Sequence, residues 1–207
     1  MLLGRRVYPW LIFLVLAAQL AEAQQWEAEL RPEKGVADLR PRVMAFADGG
    51  AKVEVHDGVV VFNSPTPESG AWMGIGWTPP MPGTDATALG DASVWNGRRP
   101  TTVEARLRVV SACAKAGIVA QMQVSDGHNA WILNVRPKGI GGYPFDATAF
   151  HTYRITARDG IANLYVDEKL LPDNSLILMK YPRNALLIGD LSKSTGGVSE
   201  WQYIHWT

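Results

Sequence analysis

Three stretches of the chain carry polar groups at every second position: Glu104, Arg106 and Arg108; Gln121 and Gln123; Asn134 and Arg136. A period of two sends such residues to one face of a β-strand, with the apolar residues between them on the other. Carboxamides and guanidinium groups offer donors in fixed planar geometry, which suits hydroxyl-rich or carboxylate-bearing ligands. If the three strands are neighbours, these seven residues form one polar sheet surface. The plainer alternative is a solvated sheet face, which antiparallel sheets often have. Trp72, Trp77 and Trp95 lie in or beside segments read as loops and could stack flat against a ring. Trp131, Trp201 and Trp206 fall inside strands and read as core. Glu54 and His56 share a strand face by alternation alone and read as a surface pair. His56, His128, His151 and His205 show no metal-ligand spacing with each other or with Cys113, so no metal site is expected.

The elements that must position these groups are short strands. Lys52–His56 and Gly58–Phe62 flank Asp57-Gly58, a strong hairpin signal. Val103, Ala105, Leu107 and Val109 make an apolar face opposite Glu104, Arg106 and Arg108. Ile118, Ala120, Met122 and Val124 do the same opposite Gln121 and Gln123, and Trp131, Leu133 and Val135 opposite Asn134 and Arg136. His151–Ala157 and Ile161–Val166 flank Arg158-Asp159-Gly160. Trp72–Trp77, Leu186–Ile188 and Trp201–Trp206 complete the set. Thr78–Gly90, with three prolines and two glycines, reads as a long loop. Short strands at this spacing, with no amphipathic helix, predict an all-β antiparallel sandwich rather than β-α-β units.

The chain begins with Arg5 and Arg6, continues with an apolar run from Trp10 to Leu20, and reaches Ala21-Glu22-Ala23. Positive end, short apolar core and A-x-A form the pattern of a signal peptide over residues 1–23. The apolar run is shorter than the roughly 20 residues a membrane span needs. Residues 24–46 read as an irregular arm and 47–207 as one domain, secreted or periplasmic. The 20 basic and 20 acidic residues balance, so no electrostatic case exists for nucleic acid or an anionic membrane as partner. A single cysteine, Cys113, excludes an internal disulfide and reads as a packed thiol.

From Phe145 the chain runs FDATAFHTYRITARDGIANLYVDEKLL. This resembles the hairpin of laminin G-like and pentraxin-like domains of the concanavalin A-like lectin/glucanase superfamily. TTVEARLRVVS, VSDGHNAWILNV and the closing LLIGDLSKSTGGVSEWQYIHW are similar to further parts of such domains. The resemblance implies a jelly-roll β-sandwich and a glycan held on a sheet face. It departs at Glu168, where the family pattern has glycine. Hydrolases of this fold carry an E-x-D-x-x-E strand, which is absent here. Alginate-lyase-type members pair an arginine with a glutamine on neighbouring strands, roles that Arg106 and Gln121 or Gln123 could take, but their Y-x-K-x-G-x-Y-x-Q strand is absent too. Laminin G-like domains sometimes bind Ca²⁺; Asp91, Asp126 and Asp190 sit in Gly-rich loops but form no dense oxygen-ligand string and read as turn residues. The expectation is therefore a glycan-binding domain with no catalytic residues and no cofactor. A polysaccharide-degrading enzyme or a structural envelope module are the alternatives.

Overall fold

The computed structural model describes residues 28–30, 32, 43–78, 87–90, 92–113, 117–191 and 196–207. The signal segment and Asp91 lie outside them, as do most of the residues read as an irregular arm. Two antiparallel sheets face each other as a β-sandwich, as the strand periodicity predicts, with the jelly-roll architecture that the resemblance implies. The first sheet contains β1 (Ala28–Leu30), β3 (Lys52–His56), β4 (Val59–Ser64), β7 (Thr101–Ala112), β12 (His151–Arg158), β13 (Ile161–Val166), β14 (Lys169–Leu170) and β17 (Gly197–Trp206), in the order β14-β13-β12-β7-β17-β4-β3. β1 pairs with β17 beyond the stretch that β4 occupies. The second contains β2 (Met44–Asp48), β5 (Gly70–Thr78), β6 (Thr87–Leu89), β8 (Ala120–Ser125), β9 (Asn129–Arg136), β10 (Gly139–Ile140), β11 (Tyr143–Pro144), β15 (Ile177–Lys180) and β16 (Asn184–Gly189), in the order β11-β10-β9-β8-β16-β5-β2. β6 extends the edge of β5, and β15 that of β9.

Within the segment read as an arm, residues 28–30 therefore form a strand, and β2 starts at Met44. Within the segment read as a long loop, residues 87–89 are a strand.

Alternation decides which side chains fill the space between the sheets. Val103, Ala105, Leu107 and Val109 are fully buried, as are Met73, Ile75, Met122, Leu133 and Ile155 from their own strands. Burying a side chain of this size contributes roughly 1.5–3 kcal/mol. Period two alone would send Trp201 and Trp206, five residues apart, to opposite faces. A bulge between Trp201 and Tyr203 inserts one residue against β7, so Trp201, Ile204 and Trp206 all reach the core.

The turns follow their residues. Asp57-Gly58 and Asp159-Gly160 both take positive φ at both positions, as two-residue hairpin turns require. Asp167 (φ +47°) and Glu168 (φ +67°) form the same kind of turn without a glycine. Asp167 compensates by bonding back: its Oδ1 accepts from the Thr152 amide at 3.0 Å and its Oδ2 pairs with His151 Nδ1 at 2.5 Å.

Candidate functional site on the outer face of the second sheet

The polar strands expected to adjoin do not. β7 belongs to the first sheet, β8 and β9 to the second, and each turns its apolar face inward. Glu104, Arg106 and Arg108 thus lie on the opposite side of the sandwich from Gln121, Gln123, Asn134 and Arg136. Alternation fixes the face of each strand but carries no information on which sheet it joins. The separation also breaks the lyase-like pairing of Arg106 with Gln121 or Gln123.

On the outer face of the first sheet, Tyr165, Arg154, Glu104, His205 and Glu29 stand in one row across β13, β12, β7, β17 and β1. The Arg154 guanidinium lies 4.9 Å from the Tyr165 ring centroid and 3.6 Å from a Glu104 oxygen. Tyr203 Oη donates to Glu104 at 3.2 Å, and its ring stacks on His205 at 4.4 Å. Burial and the Glu104 carboxylate push the Tyr203 phenol up from its ordinary range, more than Thr152 and Arg106 bring it down. Arg106 Nε donates to Gln202, the residue that the bulge presents, at 2.8 Å. Arg108 donates to Glu200 from Nε and Nη2, both at 2.7 Å, and covers Phe150 at 4.7 Å. Cross-strand pairs of this kind stabilise a sheet and leave little capacity for a ligand. Glu104, Arg106 and Arg108 are thereby engaged with neighbouring strands of the first sheet, apart from the amides of the second.

The outer face of the second sheet is built differently. Phe46, Trp72, Gly189, Gln121 and Asn134 fall in one row across β2, β5, β16, β8 and β9. At about 4.8 Å per strand the row is roughly 19 Å long. One end is aromatic: Phe46 and Trp72 stack with centroids 5.3 Å apart. The other end is amide: Gln121 Nε2 donates to Asn134 Oδ1 at 2.7 Å. Between them Gly189 supplies no side chain, because the core side of the sheet admits none. Its φ is +110°, and a Cβ would come within 2.6 Å of the Ala71 carbonyl oxygen and 2.7 Å of the Phe62 ring.

Gln121 and Gln123 are 7% and 6% exposed, so they form the floor. The Oε1 of Gln121 accepts from the Leu191 amide at 3.0 Å, which fixes the chain leaving β16. Gln123 reaches Ser125 Oγ at 3.4 Å, and Ser125 Oγ donates to the Ala185 carbonyl at 2.7 Å. Asn134 and Trp72 are only partly buried and Phe46 is 41% exposed; these are the groups a ligand can reach. Arg136 lies two residues beyond Asn134 on the same face.

A cavity of about 120 Å³ opens at the aromatic end, lined by Phe46, Asp48, Glu68, Ser69, Gly70, Trp72, Asp190 and Leu191. Asp48, Glu68 and Phe46 escape sequence reasoning because they come from separate segments with no local motif. Of the loop tryptophans whose side chains are described, Trp72 meets this site and Trp95 does not. Trp95 is 3% exposed and belongs to the core, against the expectation of a ligand contact. Its ring packs over Gly76, where a Cβ would come within 3.0 Å of it. Trp77 is placed through its backbone alone, opposite Ala88 and Asn184, and its side chain lies outside the described residues.

Among the described residues no three His, Cys, Asp or Glu side chains are arranged to hold a metal ion. Asp126 closes its own turn, accepting from the His128 and Asn129 amides at 2.7 Å each. Among the same residues no helix is long and apolar enough to cross a membrane.

No family model matches the chain, and no curated protein does. Solved structures do. A sialidase aligns with TM-score 0.55 and 12% identity over 88% of this chain, which spans 19% of that protein's length. A GlcNAcα1-4Gal-releasing endo-β-galactosidase from Clostridium perfringens aligns with TM-score 0.54 and 13% identity, covering 88% of this chain and 62% of that one. A structure reported with endo-acting O-glycanases of the human gut microbiota aligns with TM-score 0.52 and 13% identity, covering 88% and 99%. The architecture is that of the concanavalin A-like jelly rolls.

Proposed function

We propose that the protein is an exported, secreted or periplasmic, carbohydrate-binding protein without catalytic activity, and that it holds an extracellular or periplasmic glycan on the outer face of its second sheet. The row from Phe46 and Trp72 across Gly189 to Gln121 and Asn134 carries this reading. Aromatic faces suit the C–H faces of sugar rings, and amides suit their hydroxyls. Supporting it, the structures of the same fold include proteins named for cleaving glycans. Export rests on the chemistry of residues 1–23, and the laminin G-like subtype on the sequence of the β12–β13 hairpin.

The absence of an E-x-D-x-x-E strand supports binding without cleavage. So does the exposure of Asp48 and Glu68, since a catalytic acid is held protonated by burial or by a close second carboxylate. Glycoside cleavage is the second reading, favoured by the convergence of Asp48, Glu68 and Asp190 on one cavity. A glycan array run beside assays for new reducing ends and for unsaturated products tests both. Binding without product is expected. Product from a bound glycan overturns the non-catalytic reading, and silence throughout favours a structural envelope module.

A further inference from the structure

The cavity at the end of the row has a chemistry of its own. One wall is the stacked pair Phe46 and Trp72, left open to solvent although both rings are large and apolar. The same cavity is lined by the acidic residues Asp48, Glu68 and Asp190. Ser69 adds little, because its Oγ donates to the Thr66 carbonyl at 2.7 Å and accepts from the Thr66 amide at 3.1 Å. Gly70 keeps the space beside Asp48 open, since a Cβ there would sit 3.4 Å from Asp48 Oδ1. Among the described residues no lysine, arginine or histidine lines the cavity, and Asp48 and Glu68 have no ion-pair partner. The Leu191 wall is fixed by Gln121, which ties the cavity to the amide floor.

An aromatic wall in a cavity that also holds acceptors selects a ligand with an apolar face and a donor, preferably cationic. We infer that this cavity receives a sugar carrying a free amine, a hexosamine unit that is not N-acetylated, with its ring against Trp72 and its ammonium between Asp48 and Glu68. The inference rests on the glycan reading above and adds the class of sugar. N-acetylation removes the charge and replaces a three-donor ammonium with a single N–H, so the acetylated sugar loses what the cavity offers.

The test is calorimetric titration of the protein, and of a Asp48→Asn/Glu68→Gln variant, with a glucosamine tetramer, an N-acetylglucosamine tetramer, cellotetraose and 1,5-diaminopentane. Binding of the glucosamine tetramer at least tenfold tighter than the two uncharged oligosaccharides is expected, with that preference lost in the variant and reduced by added salt. Equal binding of all three oligosaccharides, or an unchanged preference in the variant, overturns the amine assignment and leaves the glycan reading standing. Diaminopentane binding as tightly as the amino sugar overturns it as well, because the site would then read charge alone. No binding of any of the three oligosaccharides overturns the amine assignment, and the glycan array then decides the glycan reading.

Discussion

Replacing Glu168 tests how the β13–β14 turn holds its shape without glycine. Glu168 sits at φ +67°, where an L-residue with a Cβ is strained by roughly 1–2 kcal/mol. Glycine relieves that strain but raises the entropy of the unfolded chain, which returns about 0.4–1 kcal/mol. The substitution also deletes the pair from Arg154 Nη1 and Nη2 to the Glu168 carboxylate, at 3.0 and 2.5 Å. With the Glu168 side chain 70% exposed, that pair is worth about 0.2–1 kcal/mol. Glu168→Gly alone therefore mixes opposing effects of similar size. Glu168→Gln separates them, because it removes the charge and keeps the Cβ. Glu168→Gly is expected to be more stable than Glu168→Gln by about 1 kcal/mol, a melting-point gap of about 2–4 °C for a domain of this size. Urea titration and thermal melts of both variants measure it. A Glu168→Gly variant no more stable than Glu168→Gln would refute the claim that the turn is strained there.

Three further outcomes follow from the same structure. The Tyr153 hydroxyl is buried with no hydrogen-bond partner among the described residues, and burial pushes its ionisation far up, so the phenol stays neutral. Tyr153→Phe should leave the fold intact and raise stability by about 1 kcal/mol in urea titration, since an unmade buried hydrogen bond costs about 1–3 kcal/mol. Burial raises the Asp167 carboxyl, but the His151 hydrogen bond, the Thr152 amide and the nearby His151 and Arg106 charges outweigh it, so its folded value lies below the usual carboxylate range. A depressed carboxyl stabilises the fold above the unfolded value and loses that contribution as pH falls through the folded one, so wild type should lose its advantage over Asp167→Asn below a pH of about 4 in melts at stepped pH. Trp95→Ala should cost about 3–5 kcal/mol as a core cavity, whereas Trp72→Ala should cost much less and reduce glycan binding; equal destabilisation would contradict the placement of the two rings.

Much of the fold was legible in the residues, because strands that are buried on one side alternate and hairpins advertise their turns. Asp57-Gly58 and Asp159-Gly160 mark hairpins that the structure contains, and the apolar faces beginning at Val103 and Met122 do pack inward. Leu164 and Val166 face the core while Tyr165 lies under Arg154. Legibility stopped at partnership. Nothing in TTVEARLRVV says that it pairs with β12 and β17 rather than with β8, so the polar surface expected from β7, β8 and β9 divides between two faces. The bulge at Gln202 was hidden for the same reason, since it is defined only against β7. Trp95 misled because a loop position says nothing of the Gly76 backbone over which its ring folds. The cavity draws on β2, β5, the end of β16 and a turn, and no local motif announces such an assembly.

Glycan binding is expected on the second sheet's outer face and not on the first's. Titration of one array-positive oligosaccharide into Trp72→Ala, Asn134→Ala and Arg106→Ala tests it most directly. At least tenfold weaker binding is expected for the first two and wild-type binding for Arg106→Ala. Loss of binding in Arg106→Ala with retention in Trp72→Ala and Asn134→Ala would contradict it.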